Sequence, residues 1–191
     1  NSIFMNFLGI NNNLQKRLDK HRFHIFEKAS ENDFHEIWKI IDDARNRMLC
    51  EDKKQWNKNY PSPSDIHNDI INETGFVLKD TFGQIDCFGA VIFGVEPAYE
   101  TIEGAWLTEK EYVVVHRLAV SQKTQNQGIA SSFLQQVEML AKEKGIESFK
   151  VDTNFDNFAM MAVLDKLGFS YCGEISYEKG KRRAYEKKLK N

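Results

Sequence analysis

The chain has 191 residues, of which 41% are hydrophobic and 28% charged, and its formal net charge is −2. This balance is typical of one globular domain, and the absence of excess positive charge argues against a nucleic-acid or membrane-surface partner. No apolar run approaches the roughly 20 residues of a membrane span, and the three scattered cysteines, without a CxxC pair, favour reduced thiols and a cytoplasmic location.

The predicted elements alternate between the period of two residues that is typical of strands and the period of 3.6 that is typical of helices. They follow an N-terminal arm over residues 1–22, so the domain itself is expected over 23–191. In chain order we predict a strand at 23–29, helices at 31–50 and 64–73, strands at 76–80, 85–95 and 112–120, a helix at 128–144, a strand at 146–152, a helix at 156–167 and a closing hairpin. This order predicts an α/β fold with helices on the faces of a mixed sheet.

A single glycine stands between the apolar strand at 112–120 and the helix that follows it. The first N–H groups of a helix have no intrahelical partner, and the helix dipole favours negative charge there. Gly128 would let a phosphate approach this backbone without a Cβ in the way. The alternative is a loop glycine that merely precedes a helix, since neither GxxxxGK[ST] nor GxGxxG is present.

The residues around this glycine form a QxxGxA pattern, namely Gln125, Asn126, Gln127, Gly128, Ile129 and Ala130. The pattern resembles motif A of the GCN5-related N-acetyltransferases (GNAT), whose Q/R-x-x-G-x-G/A loop holds the pyrophosphate of acyl-coenzyme A. The stretch NFAMMAVLDKLGF at 157–169 resembles motif B of the same superfamily. Further stretches, among them GAWLTE and HRLAV, resemble an uncharacterised bacterial branch, and the resemblance covers roughly 23–189.

The resemblance implies a GNAT-like fold: a mostly antiparallel central sheet whose fourth and fifth strands, 112–120 and 146–152, splay apart, with helices on both faces. It also implies direct transfer of an acetyl group from acetyl-CoA, without a metal, to a primary amine of a small molecule or peptide, and a homodimer is common in the family. The residues implied to hold the coenzyme are Leu118, Ala119, Val120, Gln125, Asn126, Gln127, Gly128, Ile129, Ala130 and Asn157. For Asn157, a cap of the following helix is the alternative.

The candidate base is His116, because strand alternation would place it on the face of Leu118 and Val120, and a reference pKa of about 6.5 allows imidazole to accept a proton near neutrality. A histidine hydrogen-bonded within the sheet is the alternative. Arg117 would point to the other face, where we expect it to pair structurally with a carboxylate.

One position departs from the family pattern. Many members carry a motif-B tyrosine that protonates the leaving thiolate, and Leu164 stands there. Another hydroxyl, from Tyr112, Tyr171 or Tyr177, or water would have to serve, although each tyrosine also fits a strand aromatic. This departure keeps a second function open, a catalytically inactive CoA-binding regulatory or interaction module.

The acceptor would be bound by loop residues, since loops carry specificity. In the family that the chain resembles, the loop between the first two helices and the loop between strands three and four usually wall the acceptor pocket. The resemblance therefore implies that Trp56, Tyr60 and Trp106 wall it, the alternative being that they pack the loops. Asp152 and Asn154 either line the site or stabilise a turn. The five histidines form no metal set, so no metal site is predicted.

Overall fold

The computed structural model describes residues 23–178 and 180–190, so the arm predicted over 1–22 lies outside the described residues. The described strands are β1 (Ile25–Lys28), β2 (Gly75–Lys79), β3 (Ile85–Phe93), β4 (Glu103–Gly104), β5 (Tyr112–Val120), β6 (Ser148–Thr153), β7 (Ser170–Tyr177) and β8 (Gly180–Lys188). The described α-helices are α1 (Phe34–Cys50), α2 (Pro63–Ile71), α3 (Ile129–Glu143) and α4 (Phe158–Lys166).

All eight described strands form one sheet in the order β1-β2-β3-β5-β6-β8-β7-β4. Within the described part, β5 and β6 are the only parallel neighbours. They pair at Tyr112, Val113 and Val114 of β5, whereas β3 stays paired with β5 as far as Val120. Beyond Val114 the edge of β5 that faces β6 is therefore open, which confirms the predicted splay.

The short strand β4 was missed by the sequence prediction. Its residues Glu103 and Gly104 pair with Glu174 and Gly173 of β7. The two glycines allow a very close approach, because a Cβ on Gly104 would lie 2.2 Å from the carbonyl oxygen of Cys172. Two residues are too few to show a strand period.

The two faces of the sheet bury separate apolar clusters. On one face α3 and α4 pack against the sheet through Phe133, Val137 and Leu164. On the other face α1 and α2 pack through residues such as Ile41 and Ile66. Full burial of each such side chain stabilises the fold by about 1.5–3 kcal/mol. The helices therefore cover both faces of the sheet, as predicted.

Helix α2 begins one residue earlier than predicted, at Pro63. Proline suits the first helical position because its missing N–H would have no intrahelical partner there. Ser62 and Asp65 form a capping box, with the Ser62 Oγ accepting from the Asp65 N–H at 3.3 Å. This start brings Asp69 of α2 over the sheet.

Strand β5 carries a bulge at Arg117. Ala90 of β3 pairs with His116, but Phe88 pairs with Ala119, so β5 has one extra residue between these pairs. Arg117 has φ 54°, a left-handed conformation that costs an L-residue about 1–2 kcal/mol.

The Arg117 side chain turns towards α2. Its Nε donates to Asp69 Oδ2 at 2.7 Å and its Nη2 to Asp69 Oδ1 at 2.5 Å. Burial alone would lower the pKa of the guanidinium, but the hydrogen bonds and charge of Asp69 outweigh it and raise that pKa. Arg117 is thus the structural partner of a carboxylate, as the sequence predicted, but the prediction that it points away from the face of His116 is wrong, because both side chains line the same cavity.

The substitution Asp69→Asn is expected to reduce the free energy of unfolding by about 3–5 kcal/mol, because it leaves a buried guanidinium without its counter-charge. Urea unfolding measures the loss. The matched control is Asp43→Asn, which breaks an exposed i,i+4 pair with Lys39 and should cost only about 0.3–0.5 kcal/mol. Equal losses in the two variants would contradict the anchoring role of the pair.

Candidate functional site

Three adjoining cavities, which share lining residues, lie along the splay between β5 and β6, and we refer to them together as the path. The loop groove, about 570 Å³, runs along Leu118 to Val120 and the loop before α3. The narrow passage, about 50 Å³, lies between the strands and shares Leu118 with the groove. The hairpin cavity, about 430 Å³, shares His116 with the passage and lies beside the β7–β8 hairpin. Most of the predicted site residues line these three parts, whereas Gln127, Asn154 and Trp106 do not.

The loop groove contains the helix start that the QxxGxA pattern predicted. Gly128 is the N-cap of α3 with φ 80°, and no heavy atom lies within 4 Å of the Cβ that another residue would have there. The first intrahelical bond runs from the Ser132 N–H to the Gly128 carbonyl at 3.0 Å. The N–H groups of 129–131 therefore lack intrahelical partners, and the arrangement suits an anion.

Two cations of the α1 end line the same groove, and sequence reasoning missed both. With the Gln125 amide oxygen turned towards it, Arg47 Nη2 donates to Gln125 at 2.7 Å. Lys53 also lines the groove and pairs with Glu51 at 2.5 Å. No sequence signal relates α1 to the later loop, because only folding brings them together. Their charges complement a phosphate group.

All but one of the residues predicted to hold the coenzyme line the loop groove. Leu118, Ala119, Val120, Gln125, Asn126, Gly128, Ile129, Ala130 and Asn157 all line the groove. Gln127 is not among the lining residues; its Nε2 donates to the Lys123 carbonyl at 3.3 Å. Asn157 also borders the passage. It caps α4, since its Oδ1 accepts from the Met160 N–H at 3.3 Å. The helix cap that was the alternative for Asn157 is thus present.

His116 forms a hydrogen-bonded pair with Glu96, which sequence reasoning did not select. The His116 Nε2 lies 2.9 Å from Glu96 Oε2, with side-chain exposures of 15% and 21%. The hydrogen bond to His116 lowers the pKa of the Glu96 carboxyl. An ionised Glu96 fixes the orientation of the imidazole ring through this hydrogen bond.

The prediction that His116 shares a face with Leu118 and Val120 is wrong. The extra residue at the Arg117 bulge shifts the alternation of side chains along β5. Leu118 and Val120 pack on the side of α3, whereas His116 lies on the opposite face and borders the hairpin cavity. The histidine therefore faces the passage from the side away from the groove.

Gln55 connects the α1–α2 loop to the splay. Its Oε1 accepts from the Asn157 Nδ2 at 3.1 Å, from the Asn154 N–H at 3.3 Å and from the Thr153 Oγ1 at 3.4 Å. Asn154 also donates from Nδ2 to Asp156 at 2.7 Å. Asn154 is not among the residues that line the path. Its position fits the alternative that it stabilises a turn.

Asp152 lies at the end of β6 and borders the passage. Its Oδ2 accepts from Tyr99 at 2.9 Å and from Tyr177 at 3.0 Å, and its Oδ1 accepts from Arg182 Nη1 at 3.2 Å. Burial and the charge of Asp152 raise the pKa of the Tyr177 hydroxyl, so this phenol stays protonated. Both oxygens of this buried carboxylate therefore accept hydrogen bonds.

The three predicted acceptor aromatics occupy different surroundings. Tyr60 lines the hairpin cavity and the passage, and its hydroxyl accepts from Arg117 Nη1 at 3.1 Å. Trp56 borders the passage but is only 3% exposed and belongs to the apolar cluster under α1. Trp106 lies elsewhere, where its Nε1 donates to the Tyr99 carbonyl at 2.8 Å and its ring faces the Lys150 ammonium.

Trp106 therefore does not wall the pocket beside His116. It borders a separate cavity of about 520 Å³ with Tyr112 and Lys150. The reason is that the 96–110 loop folds over the β6–β8 end of the sheet, where Glu186 accepts from the N–H groups of Leu107 and Thr108.

Leu164, which stands at the motif-B tyrosine position, lacks a hydroxyl and also lies away from the site. Leu164 is fully buried in the cluster under α3 and α4. Of the alternative hydroxyls, Tyr112 accepts from the Glu96 N–H at 2.8 Å, and Tyr171 is half exposed under Arg183 on the hairpin. Only Tyr177 of the three lines the hairpin cavity.

Among residues 23–178 and 180–190, no group of three or more His, Cys, Asp or Glu side chains is placed to hold a metal ion. None of the helices in this described part is long and apolar enough to cross a membrane.

Comparison with protein families matches residues 34–169 to the acetyltransferase (GNAT) family. A solved GNAT acetyltransferase from Streptococcus agalactiae 2603 is similar to 88% of this chain over 96% of its own, with 34% identity and a TM-score of 0.79. A comparison with curated proteins found no match.

Two more distant structures share the fold. An N-acetyltransferase from Staphylococcus aureus Mu50 has 20% identity, a TM-score of 0.62 and coverage of 88% of this chain and 99% of its own. A structure of the NatC complex bound to Gag peptide and CoA has a chain with 13% identity, a TM-score of 0.63 and coverage of 87% and 99%.

The pairing of Glu96 with His116 predicts a pH-dependent contribution to stability. The pKa of Glu96 is lower in the folded state, so its stabilisation is present above the unfolded carboxyl pKa of about 4.3 and is lost as the pH falls below it. Glu96→Gln should lower the free energy of unfolding by about 0.5–1.5 kcal/mol near neutral pH and by much less at about pH 3.

Urea unfolding of both proteins at the two pH values measures this difference. Glu100→Gln is the control, because Glu100 is exposed in the same loop. A Glu96→Gln deficit that persists unchanged at the acidic pH would show that the ionised pair is not its source.

Proposed function

The chain belongs to the GNAT family of acetyltransferases and is an N-acetyltransferase, and on this premise we propose that it transfers an acetyl group from acetyl-CoA directly to a primary amine of a small molecule or peptide. The observation that carries the proposal is the row of adjoining cavities along the splay. The loop groove at one end suits phosphates, and His116 with Glu96 stands at the other.

The groove fits the phosphate-rich end of acetyl-CoA. The open space beside Gly128 leaves the backbone accessible, and Arg47 and Lys53 add positive charge on the facing wall. The loop 125–130 would hold the pyrophosphate, and the open edge of β5 at Leu118 and Val120 offers backbone partners to an extended pantetheine arm. When bound, acetyl-CoA supplies the acetyl group as a reactive thioester.

The residues of the chain prepare the acceptor amine. An alkylamine has a pKa of about 10, so a base has to remove a proton before attack. His116 is the proposed base, and the ionised Glu96 stabilises the imidazolium that forms. Leu164 has no proton to donate to the leaving thiolate, and its burial keeps that position away from the passage. The thiolate would therefore take its proton from another hydroxyl or from water.

The acceptor would enter through the hairpin cavity, which Tyr60, Tyr177 and Arg182 line. The peptide named with the NatC structure belongs to that protein, and both a small molecule and a peptide remain within the proposal. The homodimer and the cytoplasmic location remain predictions from the sequence.

The burial of Leu164 at the motif-B tyrosine position favours one alternative, a CoA-binding regulatory or interaction module without catalysis. The two functions differ in a single respect that can be measured. The enzyme turns over with some amine, whereas the module binds acetyl-CoA but transfers nothing.

The substitution Gly128→Glu should abolish binding of acetyl-CoA, because it places a carboxylate where the pyrophosphate would lie. The measurement is the ligand-induced rise in melting temperature, which for wild type corresponds to about 2.7 kcal/mol at 100 times the dissociation constant. Gly83→Glu is a matched control, since Gly83 has φ 81° and equally open surroundings. Both variants should lose about 1–2 kcal/mol of stability from backbone strain.

Only Gly128→Glu should lose the response to acetyl-CoA. The proposal for the groove fails if wild type does not respond to millimolar acetyl-CoA, or if the two glutamate variants respond equally.

The substitution His116→Gln should lower kcat by about a hundredfold to ten-thousandfold, the usual contribution of a general base, and leave acetyl-CoA binding unchanged. Steady-state release of free thiol measures kcat. For wild type, the rate should fall as the pH drops below the pKa of the essential base. His35→Gln, at an exposed position of α1, is the control. Unchanged turnover in His116→Gln would remove His116 as the base, and no turnover of wild type with any amine would favour the binding module.

A further inference from the structure

The hairpin cavity contains charges of both signs, and these groups differ in how many of their hydrogen bonds are already made within the protein. Its acidic residues are Glu96 and Glu178, and its guanidinium groups belong to Arg117 and Arg182. Glu96 is bound to His116, and Glu178 is exposed on the rim, at the hairpin turn. The two arginines therefore decide what anionic group the cavity can hold.

Arg117 is already occupied. Three of its five N–H donors are bound, two by Asp69 in a bidentate contact and one by the hydroxyl of Tyr60. Its side chain is 15% exposed. Asp69 fills the edge of Arg117 that is formed by Nε and Nη2, so a ligand carboxylate that took this edge would have to displace a buried ion pair, which is costly.

Arg182 retains free capacity. Within the described residues, its hydrogen bonds are one contact from Nη1 to Asp152 at 3.2 Å and one from Nη2 to the Gln55 carbonyl at 3.5 Å. Neither contact is bidentate, and Tyr99 and Tyr177 satisfy the second oxygen of Asp152. The guanidinium lies 4.9 Å above the Tyr177 ring, which holds its plane at the cavity wall.

Arg182 and His116 lie on the same face of the sheet and border both the cavity and the passage. Ile175, the β7 partner of Arg182, packs in the same cluster as Val114, which lies two residues before His116. A molecule in this cavity thus meets a base paired with a carboxylate at one point and a guanidinium with spare donors at another.

We propose that the acceptor is an amino acid or a related amino carboxylate, whose carboxylate binds Arg182 while its amine faces His116 and Glu96. This inference rests on the proposed N-acetyltransferase function. A guanidinium fork matches a carboxylate in two parallel hydrogen bonds, which an ammonium cannot do. The competing acceptor, a diamine whose second ammonium binds Glu178, would rely on an exposed rim charge that contributes little.

The experiment compares each amino acid with the amine that remains after its carboxylate is removed, such as tyrosine with tyramine and lysine with cadaverine. Wild type should prefer the amino acid of the best pair by about tenfold to a hundredfold in kcat/KM, the range expected for a charge-assisted bidentate contact. Calorimetric titration of the same pair into the protein with CoA should give the same order without turnover.

The variants assign this preference to Arg182. Arg182→Gln and the milder Arg182→Lys should raise KM for the amino acid at least about tenfold and leave KM for the decarboxylated amine unchanged. Arg183→Gln is the matched control, because Arg183 lies on the opposite face of β8 over Tyr171 and should not alter either KM. Melting temperatures identify any variant that fails to fold, and Arg182→Lys keeps the charge beside Asp152.

The outcomes separate this inference from the proposed function. Acetylation of amines without any preference for a carboxylate, or a preference for cadaverine over lysine, would overturn the inference and leave the N-acetyltransferase in place. A preference that survives in Arg182→Lys and Arg182→Gln would also overturn it. Failure of wild type to bind acetyl-CoA would instead remove the proposed function, and the calorimetric comparison of amino acid with amine would still decide whether Arg182 binds carboxylates.

Discussion

The site depends on the left-handed bulge at Arg117 and on the buried ion pair that holds it. Without the extra residue, alternation along β5 would put Leu118 and Val120 on the face of His116, away from α3. Burying a guanidinium and a carboxylate costs desolvation that only good geometry offsets, and the bidentate contact with Asp69 supplies that geometry. One strained residue thus turns His116 and Leu118 to opposite faces of the sheet and anchors α2.

The path through the splay has different electrostatics at its two ends. The groove combines the start of α3 with Arg47 and Lys53, so it favours negative charge. The hairpin cavity combines Glu96 beside His116 with the guanidinium groups of Arg117 and Arg182, so it presents charges of both signs. A narrow passage between splayed strands separates the two environments, and a group can be transferred across it only where the strands no longer pair.

Much of the fold was predictable because its elements are long enough to show their period. The apolar spacing of α1 and α3 and the β-branched run of β5 identify these elements directly. The start of α3 at Gly128 was also predictable, since its chemistry is local: a glycine, a helix N-terminus and a polar loop are neighbours along the chain. The two-residue strand β4 was not predictable, because its pairing partner Gly173 is distant in sequence.

What the sequence by itself determined is therefore the order of the longer elements, the splay implied by the family resemblance and the glycine-capped helix start that suits an anion. Only the tertiary structure decided which side chains meet in the site. Glu96 reaches His116 from the end of β3, Arg182 reaches Asp152 from the hairpin, and Arg47 reaches Gln125 from α1. The physical reason is that these contacts join residues that are remote in sequence, and that a bulge reverses the strand alternation from which the face of His116 was predicted.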